Sequence, residues 1–263
     1  MTDQTTAMDW TDRSQLLDKF RPGDVLVAAS LLTRLPVKVD HAAAGARGAQ
    51  ASWAYPLIGA GLGLAAGLVF AALSGIGVAA GVAAGAAIAI SLFLTGALHE
   101  DGLADTADGF GAGVEKTRTL EIMRDSRIGA FGASALVIIL LARWSAVASF
   151  SPWEAIAALV AAGALSRAAM VALMWSLPPA RPDGLGAGAG EVSTSVLLVA
   201  LAIALLATLP TGWSILLAPL AAAAAVILVA RLADSKIGGH TGDVMGAGQQ
   251  AAEVAVLAVL TIA

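Results

Sequence analysis

Three features of this 263-residue chain predict an all-α, polytopic membrane helical bundle of about seven spans: a mean hydropathy of +0.83, a charged fraction of only 13%, and long runs without Asp, Glu, Lys or Arg. So few charged side chains cannot wet the surface of a soluble domain of this size, so lipid is the natural surface for most of it. The net charge of −4, with no broad basic field, argues against nucleic-acid binding. The chain has no Cys, which removes disulfides, thiolate nucleophiles and cysteine metal sites.

Residues 48–99 carry no Asp, Glu, Lys or Arg and are long enough to cross a hydrocarbon core of roughly 30 Å twice. A turn at Ser74-Gly75 divides them into one span from Pro56 to Phe70 or Ser74 and a second from Ile76 to Leu98. Apolar runs over 129–149 and 155–177 supply the third and fourth. The charge-free stretch 192–230 splits at Pro210-Thr211-Gly212 into two more, and a last run, 244–263, carries Gln249, Gln250 and Glu253 in its first half. Seven alternating crossings put 13 of the 15 Lys and Arg residues on one side, which is then cytoplasmic together with the N-terminus.

Residues 1–24 form a polar segment lacking the basic and apolar regions of a secretory leader, so no cleaved leader is expected. Residues 25–263 read as a single membrane-embedded catalytic domain. Within it, Val25 to Leu32 is too short to span and reads as an interfacial or re-entrant helix. Two basic residues lie inside apolar runs. Arg167, near mid-membrane, is expected to face the bundle interior and pair with an acid or reach a polar cavity; Arg143, nearer a span end, is expected to snorkel. Trp53, Tyr55, Trp144, Trp153, Trp175 and Trp213 fall near proposed span ends and read as depth markers.

The chemistry concentrates past the second span. Asp101, Asp105 and Asp108 stand at i, i+4 and i+7, which on a continuing helix aligns all three carboxylates on one face. Their mutual repulsion is relieved by a divalent cation, and Mg²⁺ suits carboxylate and phosphate oxygens; a solvated helix end is the competing reading. Glu100 points roughly 100° away from Asp101 and is a weaker ligand. His99 reads as a base, a phosphate contact or a cap. Downstream, Arg124 and Arg127 are i, i+3 neighbours if helical, with guanidinium forks suited to a diphosphate, or they serve as inside anchors. The segment Arg181-Pro182-Asp183-Gly184 and the glycines Gly238, Gly239, Gly242 and Gly246 permit tight turns and close ligand approach. Asp243 reads as an N-cap or as a further member of the site. Metal-holding acids, arginines and a hydroxyl acceptor are the parts of phosphoryl-group transfer.

In order, Thr33-Arg34-Leu35-Pro36, Tyr55-Pro56-Leu57-Ile58-Gly59, the run Leu98-His99-Glu100-Asp101-Gly102-Leu103-Ala104-Asp105-Thr106-Ala107-Asp108-Gly109, then Ile122-Met123-Arg124-Asp125-Ser126-Arg127-Ile128-Gly129, Arg181-Pro182-Asp183-Gly184-Leu185 and Gly238-Gly239-His240-Thr241-Gly242-Asp243 resemble the cobalamin synthase family. The match covers most of the chain from about residue 25 onward. The family usually has leucine where Glu100 and His240 stand here. The resemblance implies a multi-pass enzyme of the bacterial inner membrane with a cytoplasmic active site. Its donor would be adenosylcobinamide-GDP and its acceptor alpha-ribazole or alpha-ribazole 5'-phosphate. A ribose hydroxyl attacks the phosphorus nearer cobinamide, GMP leaves, and adenosylcobalamin or its 5'-phosphate forms.

On this resemblance Asp101, Asp105 and Asp108 hold Mg²⁺, and Arg124 and Arg127 stabilise the transferring oxygens. Asp243 positions acceptor or metal, and Asp105 or Asp108 is the alternative proton acceptor. Substrate contacts fall to His99, Arg34, Arg181, Gly238 and Gly239. A homo-oligomer is compatible with this reading. Two alternatives accompany it. A CDP-alcohol-type membrane phosphotransferase also presents aspartates at a membrane surface, but its Ala-Arg step and second acid pair are missing here. A corrinoid transporter does not account for acids confined to one aqueous edge.

Overall fold

The computed structural model describes residues 20–40, 44–45, 47–112, 115–182 and 190–262; most of the polar segment 1–24 and the Asp183-Gly184-Leu185 part of one motif lie outside them. Every element among the described residues is helical apart from one isolated parallel bridge between Pro179 and His240. In chain order they are α1 (Gly23–Leu32), α2 (Tyr55–Gly75), α3 (Ala80–Thr95), α4 (Leu98–Ala112), α5 (Lys116–Ile122), α6 (Ala130–Ala148), α7 (Pro152–Ser176), α8 (Thr194–Ala207), α9 (Leu217–Ile237) and α10 (Gly242–Leu260). Short turns, Gly48–Ala51 and Ser52–Ala54, lead into α2. Helices satisfy every backbone group within the segment, as a hydrocarbon surround demands. Their ends are written locally: Gly77 with φ 86° turns the chain after α2, and Gly238 with φ 64° closes α9 by donating its N–H to the Asp234 carbonyl at 2.9 Å.

All seven apolar runs are helical, yet the spans number fewer than seven by length and composition. Four helices qualify: Gly48–Gly75, α6, α7 and α9; α3 and α4 together make a fifth only as one bent pair. The 14 residues of α8 fall short of the roughly 20 a crossing needs. Gln249, Gln250 and Glu253, all buried inside the bundle, lower the apolarity of α10. The second span also ends sooner than expected. Gly96 (φ 67°) and Ala97 (φ 57°) are both left-handed, and they turn α4 aside from α3 by 89°.

Helix α7 is the hub: 83% of its most apolar window is buried, against 22% for α6 and for α9, whose remaining faces are left for lipid. It packs on α2, α8, α9 and α10. The α2–α7 contact is backbone against backbone. Gly59, Gly63 and Gly67 recur every fourth residue, and a Cβ on Gly59 or Gly63 would overlap the Gly163 or Leu159 carbonyl. Near the start of the described chain, Asp24 accepts from Arg47 Nε at 2.7 Å and Trp53 Nε1 at 2.9 Å, which ties α1 to the lead-in of α2. Trp53 is thus a structural donor, and Trp153 and Trp175 are exposed.

Between the helices runs a closed polar network. Arg143 of α6 donates through Nη1 to Glu100 Oε1 at 2.8 Å and pairs through Nη2 with Glu253 Oε1 at 2.9 Å. Arg167 of α7 pairs with Glu253 Oε2 at 2.9 Å. Gln250 donates to Glu100 at 2.9 Å, and Gln249 donates to Ser166 at 3.0 Å and to Glu253. Arg167 faces inward as expected. Arg143 does not snorkel: at 3% exposure it is buried, because two carboxylates meet it from α4 and α10. Glu100 is a structural counter-ion here.

Gly63→Leu should separate α2 from α7 and cost about 1–3 kcal/mol or more, whereas Gly61→Ala, with open space around it, should be neutral or stabilising; melting in detergent reads both. Glu253→Ala strands the Arg167 guanidinium in the bundle and leaves Arg143 with Glu100 alone, and should lower stability by about 3–5 kcal/mol, read by the same melts.

Candidate functional site

The site is built on α4. Its turn away from α3 exposes Asp101, half-buries Asp105 and buries Asp108, all on one helix that the sequence treats as a continuation of the second span. Asp108 points back into the protein. Its Oδ2 accepts from the Gly129 N–H at 2.7 Å and its Oδ1 from the Gly132 N–H at 2.8 Å, so a carboxylate 21 residues upstream caps α6. A Cβ at either position would run into this carboxylate, and one at Gly132 would also press on the Ala104 carbonyl at 2.8 Å. The cap anchors the loop that carries Arg124 and Arg127.

Helix α10 supplies the second wall. A Cβ on Gly102 would lie 2.8 Å from the Asp243 carbonyl, and one on Gly246 would lie 3.1 Å from the His99 carbonyl, so α4 and α10 touch through their backbones. This crossing sets Asp243 beside Asp101 and Asp105. The N-cap of α10 is Thr241, whose Oγ1 accepts from the Val244 N–H at 3.2 Å and donates to Asp243 Oδ2 at 3.2 Å. Asp243 is therefore free of the capping duty that the sequence allows it. Arg181 arrives from a third direction. The Pro179–His240 bridge is closed by Ala180 N–H to the His240 carbonyl and His240 N–H to the Pro178 carbonyl, both 2.8 Å, and it brings Arg181 Nη2 to 3.6 Å from Asp243 Oδ2. Gly239 lets the two strands of that bridge approach, since a Cβ there would overlap the Pro178 carbonyl.

The carboxylates sense one another. Burial first, then the charges of Asp101, Asp243 and Asp108, push the Asp105 carboxyl up to about 7, with Arg181 pulling the other way. Among the described residues no three His, Asp or Glu side chains form a ready-made metal cage. The remaining expected residues are spread around this centre. Arg127 holds Asp125 at 2.7 Å on an exposed loop, and the chain from Arg124 to Arg127 is not helical, so the i, i+3 pairing does not arise. Arg34 lies across Gly96 at the α3–α4 break. His99 is fully buried with neither ring nitrogen partnered in the protein. Gly238 is the left-handed cap of α9.

Comparison with known proteins decides the family. Residues 24–261 match the family model described as Cobalamin-5-phosphate synthase. The chain belongs to this family. It is 45% identical over 239 residues to the adenosylcobinamide-GDP ribazoletransferase of Bradyrhizobium diazoefficiens, covering 90% of this chain and 92% of that one. The protein of the same name from Mesorhizobium japonicum is 46% identical over 258 residues, 95% of each chain. That of Sinorhizobium medicae is 44% identical over 253 residues, 91% of this chain and 96% of its own. No solved structure matches the chain.

Within this cobalamin-5-phosphate synthase chain, sequence reasoning found the aspartates and missed what joins them. The Gly102–Gly246 contact and the Asp108 cap link residues far apart in the chain, and only the glycines hinted at close approach. Asp108→Ala should raise amide exchange at Gly129 and Gly132 by about tenfold or more, measured by hydrogen–deuterium exchange; unchanged exchange would mean the carboxylate does not hold the loop.

Proposed function

We propose that the carboxylate face formed by α4 and α10 is where this enzyme transfers the cobinamide phosphate of adenosylcobinamide-GDP to alpha-ribazole or its 5'-phosphate. The observation that carries the assignment is Asp105 raised to about 7 by its burial and by three neighbouring carboxylates, with Arg181 beside them. Such a face repels itself, and it is stabilised by a cation or by the protons of a reaction. Phosphoryl transfer uses both.

The residues fit Mg²⁺. This ion is commonly held by one or two carboxylates and completes its shell with water and substrate phosphate, so an all-protein cage is not needed. Asp101 and Asp105 would hold it, and when bound it would neutralise the diphosphate and ease departure of GMP. Asp108 serves by fixing the α6 loop rather than as a ligand, because its two oxygens already accept backbone N–H groups. Arg181, with Arg124 and Arg127 on the anchored loop, meets phosphate oxygens. Asp243 takes the proton from the ribose hydroxyl as that oxygen bonds to the cobinamide-side phosphorus; the bond from this phosphorus to the GMP oxygen breaks, and GMP leaves with the electron pair.

The same reading has seven crossings within one membrane-embedded domain over residues 25–263, with α8 and α10 completing the count and the N-terminus cytoplasmic. Its support is the charge distribution: 13 of 15 Lys and Arg residues then share the side that holds the aspartates. The enzyme would sit in the bacterial inner membrane with its site facing the cytoplasm, where a phosphorylated nucleotide substrate is accessible.

Asp243→Asn should lower kcat by about 10²–10⁴-fold while the chain stays folded, measured as GMP release from adenosylcobinamide-GDP with alpha-ribazole. A pH test follows from Asp105. Its folded-state carboxyl binds protons more tightly than an unfolded one, so ionising it as pH rises through about 7 destabilises the metal-free protein. Mg²⁺ relieves this only when Asp105 is ionised. The Mg²⁺-dependent rise in Tm should therefore be larger at about pH 8 than at about pH 5.5, and Asp105→Asn should flatten the difference.

A further inference from the structure

Behind the carboxylates lies a cavity of about 670 Å³ between α1, α7 and α10. Leu31, Met170, Met174 and Met245 furnish its walls, and Asp101 and Asp243 stand at the side where α4 crosses α10. No other charged side chain lines it among the described residues. The volume falls within the roughly 300–1,000 Å³ of small-molecule sites, and the pattern of an apolar body with a few polar groups at one end is that of a site for an aromatic ligand with a polar tail. His99 borders the same space, buried, with both ring nitrogens lacking a partner in the protein. A buried imidazole in that state is unsatisfied until something meets it.

We propose that this cavity receives the aromatic base of the acceptor nucleoside, leaving its ribose at Asp243. The inference rests on the ribazole-transfer reading of the site and adds which substrate part goes where. Three methionine thioethers conform readily to a flat polarisable ring, and the His99 imidazole is the group able to meet the unprotonated ring nitrogen of a benzimidazole-type base. The other candidates fit less well. Guanine carries an amide edge that leucine and methionine walls leave unsatisfied. A corrin ring with its peripheral amides is too large and too polar for the space. An anionic lipid headgroup would meet two carboxylates of its own sign.

The test fills the cavity and separates the two substrates. In Met174→Trp, KM for alpha-ribazole should rise by about tenfold or more, with KM for adenosylcobinamide-GDP within about twofold of the unaltered chain. A rise confined to the donor KM would put the donor in the cavity, and no change in either KM would leave it to lipid; each overturns the proposal. Leu31→Phe, from the α1 wall, repeats the experiment if the tryptophan variant does not fold. Calorimetric titration of alpha-ribazole into the full chain, without donor or Mg²⁺, reads the cavity independently of catalysis. Binding that is lost on filling supports the base site even if turnover assigns the carboxylates wrongly, and binding that filling leaves intact refutes the base site even if turnover is normal.

Discussion

Two positive and two negative charges buried among four helices are the constraint on which the site depends. Glu100, Arg143, Arg167 and Glu253 come from α4, α6, α7 and α10, and each is at most 6% exposed. Unpaired, any of them would be costly in a low-dielectric surround; together they neutralise one another and are joined by Gln249 and Gln250. This pairing orients α4 about its axis. Glu100 must face Arg143, so Asp101, one residue on, faces elsewhere, and the aspartate face that follows inherits that rotation.

Close backbone contact then sets the spacing. Gly102 and Gly246 let α4 and α10 approach without side chains between them, which brings acids from opposite ends of the sequence into one electrostatic field. The three aspartates of α4 divide their labour by burial. Asp108, innermost, spends its oxygens on the N-terminus of α6; Asp105, half-buried, feels all its neighbours; Asp101 stays exposed. A motif with one helical spacing thus yields three environments, because the helix carrying it enters the bundle at an angle. The buried member anchors the loop ahead of α6, and the outer two keep their carboxylates off the backbone.

The parts that were hardest to read were those whose partner is remote. Arg143 looked like a snorkelling residue because nothing near it in sequence is acidic; its partners stand 43 residues before it on α4 and far beyond it on α10. The α3–α4 break was missed because Ala97, a good helix former, occupies a left-handed position next to Gly96. The contact of α2 with α7 rests on Gly59, Gly63 and Gly67 at every fourth residue, a spacing that does not by itself name the partner helix. Asp243 reads from sequence as an N-cap or a member of the site, and the cap falls to Thr241, which accepts the Val244 N–H.

By itself the sequence determined the helical class, the location of every apolar run, the membrane setting and the acids of the candidate site, because hydropathy, helical period and charge are properties of neighbouring residues. The tertiary structure alone decided where each helix starts and stops, where α4 turns, which aspartate is bound to the backbone and which charges are paired. Those outcomes depend on contacts between segments tens to more than a hundred residues apart, and the energy of a buried charge or a glycine crossing exists only once both sides are in place.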